Sequence, residues 1–320
     1  MDTIREIFAV PFGYLIGFIY SLTGNYIISL LFMTIAVKLV VLPSTIKQQT
    51  SMAKSQRLQP KIRRIKEKYA TNQQKQQEEM NALYQREGYS SMTGGCLPTL
   101  ITLPIMMGVY LVNYKLLSFV LRIDDSIINV LKEKVMTIAN LSSYEKTAMR
   151  QELTVITRWD ELQKIIDVKA TYPEAYTKIT EFIGKFSFFG IPLEQTPNVK
   201  EFNILWAIPI VTGILSFAMA LYSYLRQRKL NPDMAKNPSM GCMTFVTPAM
   251  SIWFSFLFPA SVGIYIIMST ALSLVQMIII NSIYTPKKVL AKLMIKETIN
   301  QRAREKVLAS AAETSYENEE

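Results

Sequence analysis

The feature that most constrains this chain is a stretch of about forty residues, 243–282, without one charged side chain. A helix that crosses a bilayer needs about 20 predominantly apolar residues, so this stretch is long enough for two such helices. Pro259 and Gly263 supply a turn near its middle. The pattern predicts two membrane-spanning helices, at residues 241–259 and 261–283.

Three further apolar runs predict spans at residues 25–45, 95–115 and 202–225, which makes five in total. The prolines inside them are tolerated in lipid because neighbouring helices satisfy the freed backbone groups. Only 19% of the residues are charged, below the roughly 25% of soluble chains. The sequence therefore predicts an all-α, polytopic membrane protein. Residues 1–24 are apolar but broken by proline and glycine, and we expect an interfacial N-terminal helix there.

The charged residues predict the orientation of the spans. The segments 47–92, 226–240 and 282–320 lie on one side of a five-span protein and together carry 21 basic and 11 acidic residues. The loop 116–201 on the other side carries 11 basic and 12 acidic residues. Because the basic side is usually cytoplasmic, we expect the N-terminus outside and a cytoplasmic tail at residues 284–320.

The chain contains no histidine, which removes the usual general base and most familiar zinc and iron sites. We therefore expect no enzymatic activity, no cofactor and no metal. Cys96 and Cys242 each follow a glycine at the start of an apolar run. Small-residue helix packing explains this position best, although a disulfide or a metal pair stays open.

The first cytoplasmic segment, residues 46–92, has the pattern of a helical coiled-coil hairpin. One seam comprises Leu58, Ile62, Ile65 and Tyr69, and the other Gln76, Met80, Leu83 and Tyr84. The first arm is basic, and its candidate partner-contact residues are Lys61, Arg63, Arg64 and Lys66. Such a surface suits anionic lipid headgroups or a phosphate-rich partner such as ribosomal RNA, and the two are not exclusive.

Lys38 is a lone charge inside the first predicted span. Burying an ammonium there costs roughly 3 kcal/mol on insertion scales, so the default interpretation is a functional site that faces a cavity. The alternative is snorkelling, in which the amine reaches the headgroups while Lys38 faces lipid. Hydroxyl and amide side chains on the spans, each alone typical of helix packing, would together line a hydrophilic groove: Thr34, Thr99, Thr102, Thr212, Ser216, Thr247, Ser251, Ser273 and Gln276.

Four segments resemble the YidC membrane protein insertases, which belong with the oxidase-assembly insertases of mitochondria and chloroplasts. They are LQPKIRRIKEKY (58–69), the QQKQQEEMNALYQREG run that ends at Gly88, GCLPTLITLPIMMGVY (95–110) and FPASVGIYIIMSTALSLVQ (258–276). The match covers about 250 residues in the same order. Without the large outer domain of Gram-negative members, the chain is similar to the Gram-positive type.

The resemblance implies five helices around a hydrophilic groove that opens to the cytoplasm and lipid and is closed on the outer side. It also implies a basic residue in the groove. That residue is usually arginine and here is Lys38, which lacks the guanidinium fork. FFGIPLEQTP (188–197) matches the lead-in to the third span, so residues 119–185 read as an insertion. The helical spacing of Ile127, Leu131, Val135 and Ile138 predicts a small outer subdomain, with a simple tether as the alternative.

The implied function is insertion and folding of other membrane proteins in a bacterial plasma membrane. The groove would hydrate a polar segment of a nascent protein, and the apolar segment would leave along helices that bear Val37, Leu103, Ile105 and Met106. The implied partners are nascent membrane proteins, the ribosome, the SecYEG translocon and anionic lipids, with no small-molecule substrate. The alternatives are a small-solute transporter or channel with a midplane cationic site, and a passive scaffold.

Overall fold

The computed structural model describes residues 2–87, 97–143, 145–230 and 238–317. Apart from two strands of two residues each, the regular structure of these residues is helical, as predicted. The chain divides into two compact units. The first comprises Met1–Val41 and Thr99–Val275, and the second comprises Leu42–Pro98 and Gln276–Glu320.

The helices follow one another along the chain with few intervening strands. They are α1 (Asp2–Thr23), α2 (Tyr26–Lys68), α3 (Gln73–Arg86), α4 (Leu97–Tyr114), α5 (Leu116–Phe119), α6 (Asp125–Val135), α7 (Gln151–Thr157), α8 (Trp159–Leu162), α9 (Val168–Thr171), α10 (Pro173–Lys185), α11 (Ala207–Leu230), α12 (Pro238–Ser255), α13 (Ala260–Ile283) and α14 (Pro286–Glu317). Short 3-10 helices cover Ala148–Arg150 and Ile204–Trp206. Strands β1 (Ser187–Phe188) and β2 (Ile191–Pro192) form an antiparallel hairpin.

Among the described residues, three helical segments are long and apolar enough to cross a membrane: Tyr26–Gln49, Ile204–Lys229 and Ala260–Ile283. They coincide with the spans predicted at 25–45, 202–225 and 261–283. Helices α4 and α12 lie where the other two spans are predicted, and each has 18 residues. The five-span arrangement therefore stays a prediction, whereas the predominantly helical character of the described residues is confirmed and three of their helices are candidate membrane spans.

Helix α2 is one continuous helix of 43 residues that contains both the first predicted span and the first arm of the predicted hairpin. It passes through Pro43 and Pro60 without a break. In the second unit, Leu58 and Ile62 of the predicted seam are buried. The second arm, α3, begins where Asn72 accepts a hydrogen bond from the Lys75 backbone N–H at 3.0 Å, which is an N-cap.

In the first unit, helix α1 packs closely against α5 through two glycines one turn apart. A Cβ on Gly13 would lie 2.1 Å from the Phe119 ring, and a Cβ on Gly17 would lie 2.4 Å from the Phe119 carbonyl oxygen. The Arg122 guanidinium lies over the Tyr14 ring at 5.8 Å and donates to the Tyr14 carbonyl at 3.3 Å. This close approach requires the absence of side chains at Gly13 and Gly17.

Gly17→Ala is expected to lower the thermal unfolding midpoint, because the new methyl group would collide with a backbone oxygen that cannot rotate away. Overpacking of this kind costs about 1–3 kcal/mol. Gly184→Ala is the matched control, because a Cβ there meets nothing within 4 Å and alanine favours a helix. Thermal melts in detergent would measure both variants. An equal change in the two midpoints would contradict the close packing at Gly17.

Residues 116–201, which we call the connecting subdomain, contain a packed hydrophobic core. Leu131, Val135 and Ile138 of the predicted apolar spacing are buried, and Ile127 packs partly against them. Phe182 stacks on Phe186 with ring centroids 4.6 Å apart. A simple tether would not bury these side chains, so their burial favours the predicted helical subdomain.

Candidate functional site

The Lys38 amine is directed at another helix of the first unit. Its Nζ donates a hydrogen bond to the Ser273 hydroxyl at 2.6 Å, and that hydroxyl donates to the Ser269 carbonyl at 2.8 Å. The amine is therefore held between α2 and α13, and this contact favours the groove-facing interpretation over snorkelling. The contact joins residues that are 235 positions apart in the chain.

The rotation of α2 explains why Lys38 occupies this place. One face of the helix is buried in the bundle and comprises Leu30, Met33, Thr34 and Val37. The opposite face exposes Phe32 and Leu39, as expected of side chains that meet lipid. Lys38 lies at the border between the two faces and is half-buried. An amine at this border reaches a partner on α13 without leaving the edge of the bundle.

The other predicted groove residues are in varied environments. Thr34 is buried, and its hydroxyl donates to the Leu30 carbonyl of its own helix at 2.6 Å. The Ser251 hydroxyl likewise donates to the Thr247 carbonyl at 3.0 Å, and the Thr247 side chain is exposed. The hydroxyls of Thr34 and Ser251 are each satisfied within their own helix, which is the ordinary helix-packing role.

Thr212 and Ser216 are buried one turn apart on α11, and within the described residues the Thr212 hydroxyl has no hydrogen-bond partner. Gln276 is half-buried in the second unit. The side chains of Thr99 and Thr102 lie outside the described residues. Of the predicted set, the structure brings Lys38 and Ser273 into direct contact.

An apolar cavity of about 510 Å³ lies between α4 and the N-terminal part of α13 in the first unit. Met106 and Met107 are each 44% exposed and line it on α4. The remaining lining residues are aromatic or aliphatic apart from one methionine: Tyr110, Leu111, Met149, Phe254, Phe258, Val262, Tyr265 and Ile266. The thioether side chains adapt readily to different apolar shapes.

The side chains named for the predicted path of an apolar segment have different surroundings, and the path along their helices stays a prediction. Met106 lines the cavity, whereas Val37 and Ile105 are buried in the packing of the bundle. The reason is that Ile105 shares the inward face of α4 with Val109 and Val112, whereas Met106, Met107 and Tyr110 lie on the other face. The Leu103 side chain lies outside the described residues.

Buried polar contacts hold the helices around this cavity. The Tyr26 hydroxyl donates to the Asn113 amide oxygen at 2.7 Å, and the Asn113 amide nitrogen donates to the Val109 carbonyl at 2.9 Å. The first of these hydrogen bonds joins α2 to α4. Together the two bonds satisfy both the oxygen and the nitrogen of the Asn113 amide in an apolar setting. Asn113 is a polar residue inside an apolar run, and this signal was present in the sequence.

A second set of contacts, the Arg150–Glu152 clamp, joins the connecting subdomain to α4 through Arg150 and ties helices within the subdomain together through Glu152. The Arg150 guanidinium donates to the Tyr114 hydroxyl at 2.7 Å and lies over the Tyr114 ring at 4.9 Å. The Glu152 carboxylate accepts from the Ser118 backbone N–H at 3.0 Å and the Ser118 hydroxyl at 2.7 Å. Lys132 lies 3.4 Å from the same carboxylate. No local sequence pattern indicates these pairings.

A polar pocket of about 530 Å³ adjoins the clamp. In it, burial alone would raise the pKa of Glu145, but hydrogen bonds from Arg158 and Ser142 outweigh it and hold that pKa below its usual value. Burial raises the pKa of the Glu194 carboxyl. Beside Glu194, the carbonyls of Leu193 and Gln195 accept from the first backbone amides of α13 at 2.9 and 2.7 Å, which caps that helix.

The predicted partner-contact residues of the hairpin are all exposed on α2 in the second unit. Lys61 forms an ion pair with Glu87, and the Arg63 Nε donates to the Glu67 carboxylate at 2.8 Å. Arg64 and Lys66 form no ion pair within the described residues. Part of the basic surface is thus neutralised within the hairpin, and part of it remains unneutralised.

A family model described as 60Kd inner membrane protein matches residues 18–288 of the chain. The chain belongs to this family. The matched region contains α2, the connecting subdomain and the helices that surround the cavity. Membership confirms the resemblance to the YidC insertases.

Curated relatives of the family carry insertase names. The membrane protein insertase MisCA of Bacillus subtilis (strain 168) is 26% identical over 276 residues, which are 84% of this chain and 76% of that protein. The membrane protein insertase YidC of Clostridium perfringens is 38% identical over 117 residues, 35% of this chain and 49% of that protein. The YidC of Haemophilus ducreyi is 39% identical over 102 residues, 32% of this chain. The chain spans only 19% of the length of that last relative.

Proposed function

We propose that this protein is a membrane protein insertase. In this proposal it receives hydrophilic segments of nascent membrane proteins in a groove open to the cytoplasm and releases their apolar helices into the bilayer. Membership of the 60Kd inner membrane protein family supports the proposal, as do the insertase names of its relatives. It acts without a catalytic residue or cofactor, since partition of apolar helices into lipid supplies the driving force.

The observation that carries the proposal is the contact between Lys38 and Ser273. A lone amine inside a predicted span that is turned toward a neighbouring helix needs polar surroundings, because a charge in hydrocarbon costs several kcal/mol. Ser273 supplies one oxygen atom, and an ammonium has two further protons to share. Water in a groove beside Lys38 would satisfy them, and the same water would receive the polar end of another chain.

The groove lowers the barrier for a client by two effects. Each unsatisfied backbone group in hydrocarbon costs several kcal/mol, so a groove that hydrates a polar tail part-way leaves a thinner apolar layer to cross. The positive charge of Lys38 adds attraction for clients with acidic tails. The groove side chains of this proposal are Lys38, Ser273, Thr212 and Ser216, together with the remaining predicted polar residues.

The apolar part of a client passes along the cavity between α4 and α13. Its surface of methionine and aromatic side chains suits client helices of many sequences, because thioether chains repack around different shapes. Met106 and Met107 are its most accessible members on α4. The neighbouring lipid then receives the client helix.

The proposed topology has five spans, with the N-terminus outside and the C-terminus in the cytoplasm of a bacterium. In addition to the three candidate spans named above, α4 and α12 cross the membrane, and the hairpin and α14 are cytoplasmic. Arg64 and Lys66 on the exposed hairpin surface support contact with ribosomal RNA or anionic lipid, and SecYEG is a further proposed partner. The alternative, a small-solute transporter or channel, also needs a midplane charge, but the relatives named above are insertases.

Cysteine accessibility tests the groove. Ser273 and Val275 lie two residues apart on α13, so their side chains point to different faces. Ser273 contacts Lys38, whereas Val275 is exposed on the surface of the helix. In vesicles, we expect a water-soluble thiol reagent to label Ser273→Cys from the cytoplasmic side and to leave Val275→Cys unlabelled in lipid. Native Cys96 and Cys242 would be replaced by serine. Equal protection of both positions would contradict a water-filled groove.

A further inference from the structure

We propose that helix α14 binds the anionic surface of the cytoplasmic leaflet through one exposed face. The helix begins at Pro286, three residues after the membrane-spanning helix α13 ends at Ile283. It continues to Glu317 as a single helix of 32 residues. The inference does not depend on the insertase activity, because it uses only the second unit and the predicted orientation.

The face in question is a stripe with spacings of four and three residues, which brings its members to one side of a helix. We call it the basic stripe, and it consists of Lys288, Lys292, Ile295, Ile299, Arg302 and Lys306. All six side chains are exposed, and the two isoleucines are 60% and 61% exposed. The stripe contains four cations and no acid, and it covers about 27 Å at 1.5 Å per residue.

The composition of the stripe identifies its partner. Four cations would be buried at a coiled-coil seam, so a second helix is a poor partner despite the spacing. RNA would use the cations, but two isoleucines at the centre gain nothing from phosphates. A bilayer with anionic headgroups uses both, because the isoleucines enter the acyl boundary while the lysine and arginine stems reach the headgroups.

Two further observations favour lipid. The cations of the stripe form no ion pair within the described residues, so their charge is not already neutralised. The connection of only two residues to α13 holds the start of α14 at the membrane, which gives a high local concentration of headgroups. Anionic headgroups at the cytoplasmic surface attract juxtamembrane cations in this way.

The test uses the full chain with Cys96 and Cys242 replaced by serine and reconstituted in vesicles. An environment-sensitive fluorophore is attached at Ile299→Cys on the stripe or at Gln301→Cys, an exposed position on another face. In vesicles that contain phosphatidylglycerol, we expect lipid-borne quenchers to reduce emission at position 299 far more than at 301. The difference should shrink in pure phosphatidylcholine or at high salt. Equal quenching at both positions would overturn the proposal.

Arg302→Gln and Arg304→Gln form a matched pair, because Arg302 lies on the stripe and Arg304 does not. Removing one cation near an anionic surface is expected to lower the ratio of membrane-bound to free helix about fivefold, so Arg302→Gln should show this loss and Arg304→Gln should not. Equal effects of the two variants would contradict the stripe. Protection of position 299 by added ribosomes, with no effect of phosphatidylglycerol, would assign the face to a ribosomal partner and overturn the proposal.

Discussion

Lys38→Ala is expected to slow insertion of clients with acidic translocated tails at least about tenfold, and to affect clients with neutral tails much less. A carboxylate about 4 Å from an ammonium gains about 4 kcal/mol at an effective dielectric constant of about 20, and loss of about 1.4 kcal/mol is already a factor of ten. The geometry supports this role because the amine donates to Ser273 on a neighbouring helix of the first unit. Insertion into proteoliposomes, followed by protease protection, would measure both clients.

Two variants serve as controls for this experiment. Lys38→Arg keeps the charge and should retain insertion of the acidic client. Ser273→Ala removes the hydroxyl that accepts from the amine at 2.6 Å but leaves the charge, so we expect a smaller loss. Thermal melts would verify that each variant is folded. An equal loss of insertion for acidic and neutral clients after Lys38→Ala would contradict an electrostatic role.

Glu152→Ala is expected to destabilise the protein by about 3 kcal/mol, because it removes a buried carboxylate and leaves the groups that donate to it without an acceptor. The Glu152 side chain is only 2% exposed and accepts from both the backbone N–H and the hydroxyl of Ser118. Its loss also leaves Lys132 without the carboxylate that lies 3.4 Å away. Thermal unfolding in detergent and limited proteolysis of the connecting subdomain would measure the effect.

Glu161→Ala is the matched control for the clamp. Glu161 also forms an ion pair, with Arg158 at 2.9 Å, but its side chain is exposed. Exposed ion pairs contribute about 0–1 kcal/mol, so the control should unfold close to the wild-type temperature. Similar destabilisation by both variants would contradict the buried role of Glu152. Faster proteolysis of the subdomain in Glu152→Ala alone would support it.

Local patterns in the sequence determined the helical class and three candidate spans, and they predict the hairpin. The apolar run at 25–45 predicts a span because lipid cannot satisfy backbone groups, and the helix at Tyr26–Gln49 agrees. The seam at Leu58 and Ile62 is buried, and Asn72 caps the second arm. Such features depend on residues within a few positions of one another, which a linear chain displays directly.

The lone charge of Lys38 was evident in the sequence, but its direction was not. The sequence left a groove-facing and a lipid-facing amine open, and only the position of α13 beside α2 gave the amine its contact with Ser273. The same holds for the Arg150–Glu152 clamp and for the division of α4 into a packed face with Ile105 and a cavity face with Met106. Periodicity predicts which side chains share a face. Which neighbour that face meets depends on the rotation and register of helices far apart in the chain, and these are set by tertiary packing.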